Sequence, residues 1–495
     1  MAQIRTRQLL GSDYKTPAPG LYGSLRASQF LKDARNGVKS VDIITIGDSN
    51  AGQGGYGNQV GIHRVMSYQY GIDVYATPLL PGGNFLNASS FSTLADGLVC
   101  TGNQLSTSLD NAVGSTGSTG NLRLMTQYTS DSEVNALVTH LGFNSTNFAN
   151  DGTTMLPKVN AWQWMPCVIP TGTIWVGTGG NTNATRLNDT SPLAYGLTGG
   201  GAVNCQYRAV VGTFNASGGQ FKLSVFNGTA FGLNTRSAFI TTQTSGGGYG
   251  YKTETLNFTT QTSATAGVYC SWDGAAQGAA QGCTGPFACL WTSIIQSSKI
   301  GYAVSNLIYH GGINGTGLAD RIEGMDKVLD MYLKEIRARQ IESGGIGRAI
   351  IFASFGINSD LSPTPSLAFT NAADRIKARI QQRWIVAGGS IDNLAFIFAP
   401  SHPVPTGTVT PWDVNRATVV TNSGAWAITN NNDNSGTCVV DAGIQCTSTK
   451  LTKGMAPSGT MYDGGGQSHL NATTTSGSNG YDAFIGAIFN SLMSA

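Results

Sequence analysis

The sequence predicts an α/β protein whose parallel sheet is covered by helices on both faces, with a large inserted β-sandwich of jelly-roll type. Three observations predict it. Short apolar runs alternate with helix-spaced patterns towards both ends of the chain. A long middle segment instead carries short alternating runs separated by Gly, Asn and Ser turns. Finally, 66 glycines and only 11% charged residues describe tightly turned, hydroxyl-rich β structure.

The elements follow in order. Residues 1–40 read as a polar N-terminal arm, with a short helix opening between Leu25 and Leu31. Val41–Ile46 is an apolar strand that runs straight into Gly47-Asp48-Ser49-Asn50. The inserted β segment covers 86–300, with strands expected at Tyr207–Thr213, Phe221–Phe226, Thr253–Thr259, Val268–Trp272 and Cys289–Ile295. A strand at Ser305–Tyr309 returns the chain to α/β texture. Leu318, Ile322, Met325, Leu329, Leu333 and Ile336 then recur at the three-to-four spacing of one amphipathic helix. Ala349–Ala353 and Leu394–Ala399 read as buried strands. Helices are expected from Pro365 through Trp384 and over Tyr481–Leu492. The α/β domain is therefore expected to be discontinuous, over 41–85 and 301–495.

Composition excludes several function classes. A net charge of +2 without any Lys/Arg cluster gives no footprint for nucleic acid or an anionic membrane. No window holds 18 apolar residues, so no membrane insertion is expected. The N-terminus lacks the apolar core of a signal peptide, so extracellular action is expected to follow lysis or virion assembly. The eight cysteines form no CxxC pair and no zinc-spaced set with histidine, so neither metal nor cofactor is expected. Cys283/Cys289 and Cys438/Cys446 are spaced to close small loops, and buried thiols are the equal alternative.

In open parallel sheets, functional groups gather at the carboxyl ends of strands. Four blocks fall there: Gly47-Asp48-Ser49; Gly312-Ile313-Asn314-Gly315-Thr316; Gly356-Ile357-Asn358; and Asp463 with His469. A serine hydroxyl needs an adjacent imidazole to act as nucleophile, and the imidazole needs a carboxylate to fix its tautomer. Ser49, His469 and Asp463 supply these three parts. The tetrahedral intermediate needs preorganised donors, and the N–H groups of Ser49 and Gly315 with the Asn358 amide supply them. His402, after another apolar strand, is the rival base.

The four blocks resemble those of the SGNH (GDSL-type) hydrolases, a family of esterases and lipases. The resemblance covers roughly 41–85 and 305–495. It implies a flavodoxin-like three-layer α/β/α fold and the same roles for Ser49, Gly315, Asn358, Asp463 and His469. Two departures stand out. Ser359 occupies the place of a common Asp, and Asp463 precedes His469 by six residues, with three glycines between, instead of the usual Asp-x-x-His.

Trp162, Trp164, Trp175, Tyr207, Tyr249, Tyr251, Tyr269 and Trp272 in the insertion are either core residues or faces for stacking sugars. Taken together, the sequence predicts a serine esterase that removes acyl groups, above all O-acetyl, from a surface polysaccharide. It is expected to act as a homo-oligomeric phage virion or tail component beside other virion proteins. The alternative is an inactive structural or receptor-binding virion protein on the same fold.

Overall fold

The computed structural model describes residues 20–48, 57–80, 123–124, 136–137, 140–141, 148–150, 155–157, 161–163, 167–169, 184–187, 204–215, 220–228, 233–236, 240–241, 248–259, 267–273, 287–310, 314–358, 365–403, 412–431, 434–444, 470 and 480–495. The chain divides into two compact units. The first joins Met1–Asp73, Ile300–Gln340 and Gly345–Ala495; the second joins Val74–Lys299 and Ile341–Gly344.

The first unit is doubly wound. Its strands are β1 (Leu21–Gly23), β2 (Val41–Asp48), β3 (Tyr302–His310), β4 (Ala349–Phe355), β5 (Leu394–Pro400) and β6 (Thr437–Val440). They lie in the order β1-β6-β5-β4-β2-β3. β2 to β6 are parallel, and β1 pairs antiparallel with β6. Counted along the chain, the five parallel strands have the flavodoxin-like order 2-1-3-4-5. Every residue of β2, β4 and β5 is buried. That is the pattern of strands covered on both faces, which read as continuous rather than alternating apolar runs.

Seven α-helices among the described residues cover this sheet: α1 (Arg26–Arg35), α2 (Gly57–His63), α3 (Gly315–Glu323), α4 (Asp326–Glu342), α5 (Pro365–Val386), α6 (Trp412–Asn431) and α7 (Gly480–Ser494). Successive strand side chains point to opposite faces, and β4 shows both layers. Phe355 stacks on Phe369 of α5 at 4.5 Å between ring centres, whereas Phe352 meets Phe489 of α7 at 5.8 Å. Phe398 of β5 meets Trp426 of α6 edge-on at 5.5 Å. α1 and α2 pack against α7. On α5, Arg375, Arg379 and Arg383 recur every turn and pair with Glu323 of α3 and with Asp326 and Asp330 of α4. Such part-exposed pairs fix helix spacing more than they stabilise.

The local differences from expectation have physical reasons. The apolar spacing from Leu318 to Ile336 spans two helices, because the chain breaks at Gly324 and Met325 between α3 and α4. Leu21–Arg35, within the expected arm, form β1 and α1 and bury Ala27, Phe30 and Leu31. α6 carries many β-branched, Asn and Gly residues of weak helix propensity. Burial of Trp412, Val419, Ser423 and Ala427 decides its conformation instead. Cys205 and Cys438 are buried free thiols, so Cys438 closes no loop with Cys446. Burial pushes both thiols up to about 12.

The second unit is antiparallel. One sheet runs Gly250–Thr259, Asn204–Thr213, Phe287–Gln296, Cys167–Ile169 and Arg123–Leu124, with Ala76–Leu80 also pairing to Phe287–Gln296. The other runs Leu233–Arg236, Gln220–Gly228, Gly267–Asp273 and Ala184–Leu187, with Ile240–Thr241 also on Gln220–Gly228. Gln220–Gly228 lies against Gly250–Thr259 of the first sheet. Of the aromatics weighed as sugar faces, Tyr207 is fully buried and belongs to the core, while Tyr249 and Tyr251 are half-buried. Trp164 and Trp175 lie outside the described residues.

Candidate active site

Parallel register brings four strands to an end along one edge of the first unit. Asp48 of β2 stands opposite His310 of β3, Gly47 opposite Ser354 of β4, and Phe355 opposite Pro400 of β5. In doubly wound sheets the ligand crevice lies beyond the carboxyl ends, where the strand order reverses. Here that point is β2, with β3 on one side and β4 on the other. The topology alone therefore singles out the segment after Asp48, the segment leading into α3, and the segment after Phe355.

Ser49, Asp463 and His469 lie outside the described residues. Their immediate neighbours do not. Asp48, bonded to Ser49, is fully buried, and Leu470, bonded to His469, is buried at 2% exposure. The Asp48 carboxylate accepts a hydrogen bond from the Ser401 hydroxyl at 3.2 Å. That same Ser401 oxygen accepts the Ile357 N–H at 3.3 Å, and Ser401 N–H donates to Phe355 O at 3.1 Å. Ser401 thus joins the ends of β2, β4 and β5.

Gly315 is the first residue of α3. Its N-cap, Asn314, accepts the Gly317 N–H at 2.8 Å, the normal stop for a helix start. A Cβ on Gly315 would meet the Phe355 ring at 2.9 Å and Ala372 Cβ at 3.1 Å. Only glycine lets this donor-rich helix end approach the end of β4 so closely. Gly356 has a second reason to be glycine. Its φ of +129° is the left-handed region, and a Cβ there would meet Trp412 at 2.9 Å. This bend turns the chain towards Ile357 and Asn358.

Asn358 carries the most telling atom of the site. Its Nδ2 is buried, and among the described residues it has no hydrogen-bond partner. Buried amide donors are nearly always satisfied, and leaving one unmade costs about 1–3 kcal/mol. The Asn58 Nδ2 in α2 is in the same state.

Of the five predicted site residues, the structure places Gly315 and Asn358 around Phe355, at the edge where β2 delivers Asp48. His402, the rival base, is 1% exposed and packs edge-on against Phe484 of α7 at 6.1 Å. Its backbone oxygen accepts the Trp412 indole N–H at 3.1 Å. Ser401 is not singled out by the sequence, because its contacts to β2 and β4 are tertiary. Among the described residues, no group of three or more His, Cys, Asp or Glu is placed to hold a metal ion. No helix among them is long and apolar enough to cross a membrane.

The fold and topology define a doubly wound α/β protein whose switch point lies at β2. No protein-family model and no curated protein matches the chain. Among solved structures it is similar to a peptidoglycan O-acetylesterase, at 12% identity and a TM-score of 0.45, covering 95% of this chain and 97% of that one. It is similar to a family two carbohydrate esterase from Clostridium thermocellum in complex with cellohexaose, at 12% identity and a TM-score of 0.19, over 48% of this chain and 80% of that one. A tandem CBM22 domain of Paenibacillus barcinonensis Xyn10C matches at 7% identity and a TM-score of 0.17, over 35% and 44% of the two chains. With TM-scores below 0.5 these likenesses carry no argument, and the assignment rests on the geometry above.

Proposed function

We propose that the α/β unit is a serine esterase that removes acyl groups, above all O-acetyl, from a polysaccharide, and that the β-rich unit binds glycan. The observation that carries the reading is the unsatisfied Asn358 amide, at the switch point that Gly47-Asp48-Ser49 also enters.

In this reading Ser49 Oγ attacks the ester carbonyl carbon while His469 takes the hydroxyl proton, with Asp463 orienting the imidazole. The carbonyl oxygen gains the negative charge. It is met by the N–H groups of Ser49 and Gly315 and by the Asn358 amide. The intermediate collapses, the sugar hydroxyl leaves with the proton from His469, and an acyl-serine remains. Water, deprotonated by His469, attacks the acyl carbon, and the carboxylic acid departs as Ser49 recovers its proton. The choice of a carbohydrate ester rests on the resemblance of the four sequence blocks and on the second, antiparallel unit.

The test is turnover of p-nitrophenyl acetate and of O-acetylated polysaccharides by the full chain. Wild type is expected to hydrolyse these esters and to label with a fluorophosphonate, and Ser49→Ala to lose several orders of magnitude in kcat. Equal rates for the two proteins would overturn the reading. An unlabelled wild type would favour the inactive, receptor-binding alternative.

A further inference from the structure

The network around Ser401 extends beyond the residues an esterase site needs. Four neighbouring strands, in the sheet order β6-β5-β4-β2, are tied at their carboxyl ends by one chain of hydrogen bonds. Asp441, directly after β6, pairs with Arg416 of α6 at 2.6 Å. Arg416 Nε donates to Ser401 O, directly after β5, at 2.9 Å. Ser401 in turn holds Phe355 O and Ile357 N–H at the end of β4, and the Asp48 carboxylate at the end of β2. Ser401, Asp48 and Asp441 are each at most 5% exposed. The chain ends one residue before Ser49 on one side and one residue before Asn358 on the other.

This arrangement has a specific consequence. Ser401 Oγ contacts both segments at once, donating to one and accepting from the other. A hydroxyl does both with one atom; a methyl does neither, an ionised carboxylate cannot donate, and an amide needs two separate atoms. One oxygen thus links Asp48 to Ile357, beyond the last backbone pair of β2 with β4. Arg416 fixes that oxygen's residue from behind with a planar donor, itself held by Asp441.

We infer that Ser401 is a positioning residue, which holds Asp48 and Ile357 and through them orients the residues that follow each, Ser49 and Asn358, for acyl transfer. The inference rests on the esterase reading for its catalytic meaning. Ser401 touches no reacting atom, so its removal acts through Asp48 and Ile357. Ground-state binding of substrate does not pass through this oxygen, and the loss falls on kcat rather than KM.

The test compares Ser401→Ala with wild type and with Ser423→Ala. Ser423 is equally buried, but its hydroxyl bonds Val420 O inside α6, away from the edge. Ser401→Ala is expected to lower kcat about 10- to 100-fold, the scale of a misplaced reacting group, with KM within about twofold and fluorophosphonate labelling of Ser49 slowed in proportion. Ser423→Ala is expected to leave both unchanged. Combined with Asp48→Asn, the loss is expected to be less than the product of the single losses, because the two residues share one bond. Hydrogen exchange read by mass spectrometry supplies a readout independent of turnover. Peptides over 47–57 and 355–361 are expected to exchange faster in Ser401→Ala, while β2 before Gly47 does not change. Unchanged kcat in an active enzyme, or unchanged exchange in both peptides, overturns the inference. An inactive, unlabelled wild type overturns the esterase reading instead, and the exchange data then decide whether Ser401 sets the two turns.

Discussion

The two edges of the α/β sheet are built on opposite plans. At the edge where strands begin, Asp42 of β2 meets Arg339 of α4, both fully buried. Gln340 Nε2 donates to the same carboxylate at 2.8 Å and also to Arg348 O at 2.8 Å, and Gln340 Oε1 accepts the Arg348 N–H. This network ties β2, α4 and the start of β4 together. At the edge where strands finish, the network through Ser401 is also buried, but it borders an amide donor left unsatisfied at Asn358. One edge gathers its polar groups around a buried carboxylate. At the other, the amide is the group that the esterase reading would use. Parallel sheets gather ligands beyond the carboxyl ends of their strands, and the esterase reading therefore looks to that edge.

Substitutions at the two edges are expected to separate stability from activity. The largest effect on stability belongs to Arg339→Ala, which strands the buried Asp42 carboxylate and is expected to cost about 3–5 kcal/mol. Urea unfolding measures it, and kcat of the folded fraction is expected to stay at the wild-type value. Replacing the pair together, Arg339→Met with Asp42→Leu, is expected to recover most of that loss, since a buried pair often contributes little net stability over apolar residues of similar volume. A loss of kcat in Arg339→Ala without any loss of stability would break the comparison.

Asn358→Ala is the mirror case. Removing an oxyanion donor is expected to lower kcat by about 10²–10³-fold, roughly 3–4 kcal/mol of transition-state stabilisation. Because Nδ2 has no partner among the described residues, its removal breaks no hydrogen bond seen there. Unfolding is expected to show unchanged or slightly higher stability, the trade-off typical of functional sites. A variant that is destabilised yet fully active would place Asn358 with the structural residues.

How much of this was legible in the sequence follows from the same contrast. The strand ends were readable because a buried parallel strand is a continuous apolar run, and the blocks at Gly47, Gly315 and Gly356 lie at or just past the ends of such runs. Gly315 and Gly356 were readable as motif glycines, although the reasons, the Phe355 ring and the Trp412 ring, are tertiary. The helix at Trp412–Asn431 was not readable. Its Thr, Val, Asn and Gly residues favour other conformations locally, and burial against β5 and α5 overrides them. Ser401 was invisible for a related reason. A lone serine acquires a role only when four strand ends meet, and nothing local distinguishes it from the many other serines of this chain.

The smallest effect concerns the amino edge again, and it is expressed through pH. His63, at the end of α2, is buried, and its Nδ1 lies 3.0 Å from the Tyr302 hydroxyl at the start of β3. Ser67 Oγ approaches the same hydroxyl at 2.7 Å. No acidic side chain is among these contacts, and burial lowers the His63 pKa from 6.5 to about 4. Above pH 6.5 the imidazole is neutral in both folded and unfolded chains and stability is unaffected. As pH falls below 6.5, the unfolded chain takes up a proton that the folded chain refuses. Stability is therefore lost progressively down to about pH 4, by about 3 kcal/mol in all. Urea unfolding across pH 4 to 7 is expected to show that slope in wild type and to lose much of it in His63→Gln, which keeps a polar group beside Tyr302 but does not titrate. If the slope survives the substitution intact, the acid sensitivity belongs to other groups, and the amino edge is not where this fold meets its acid limit.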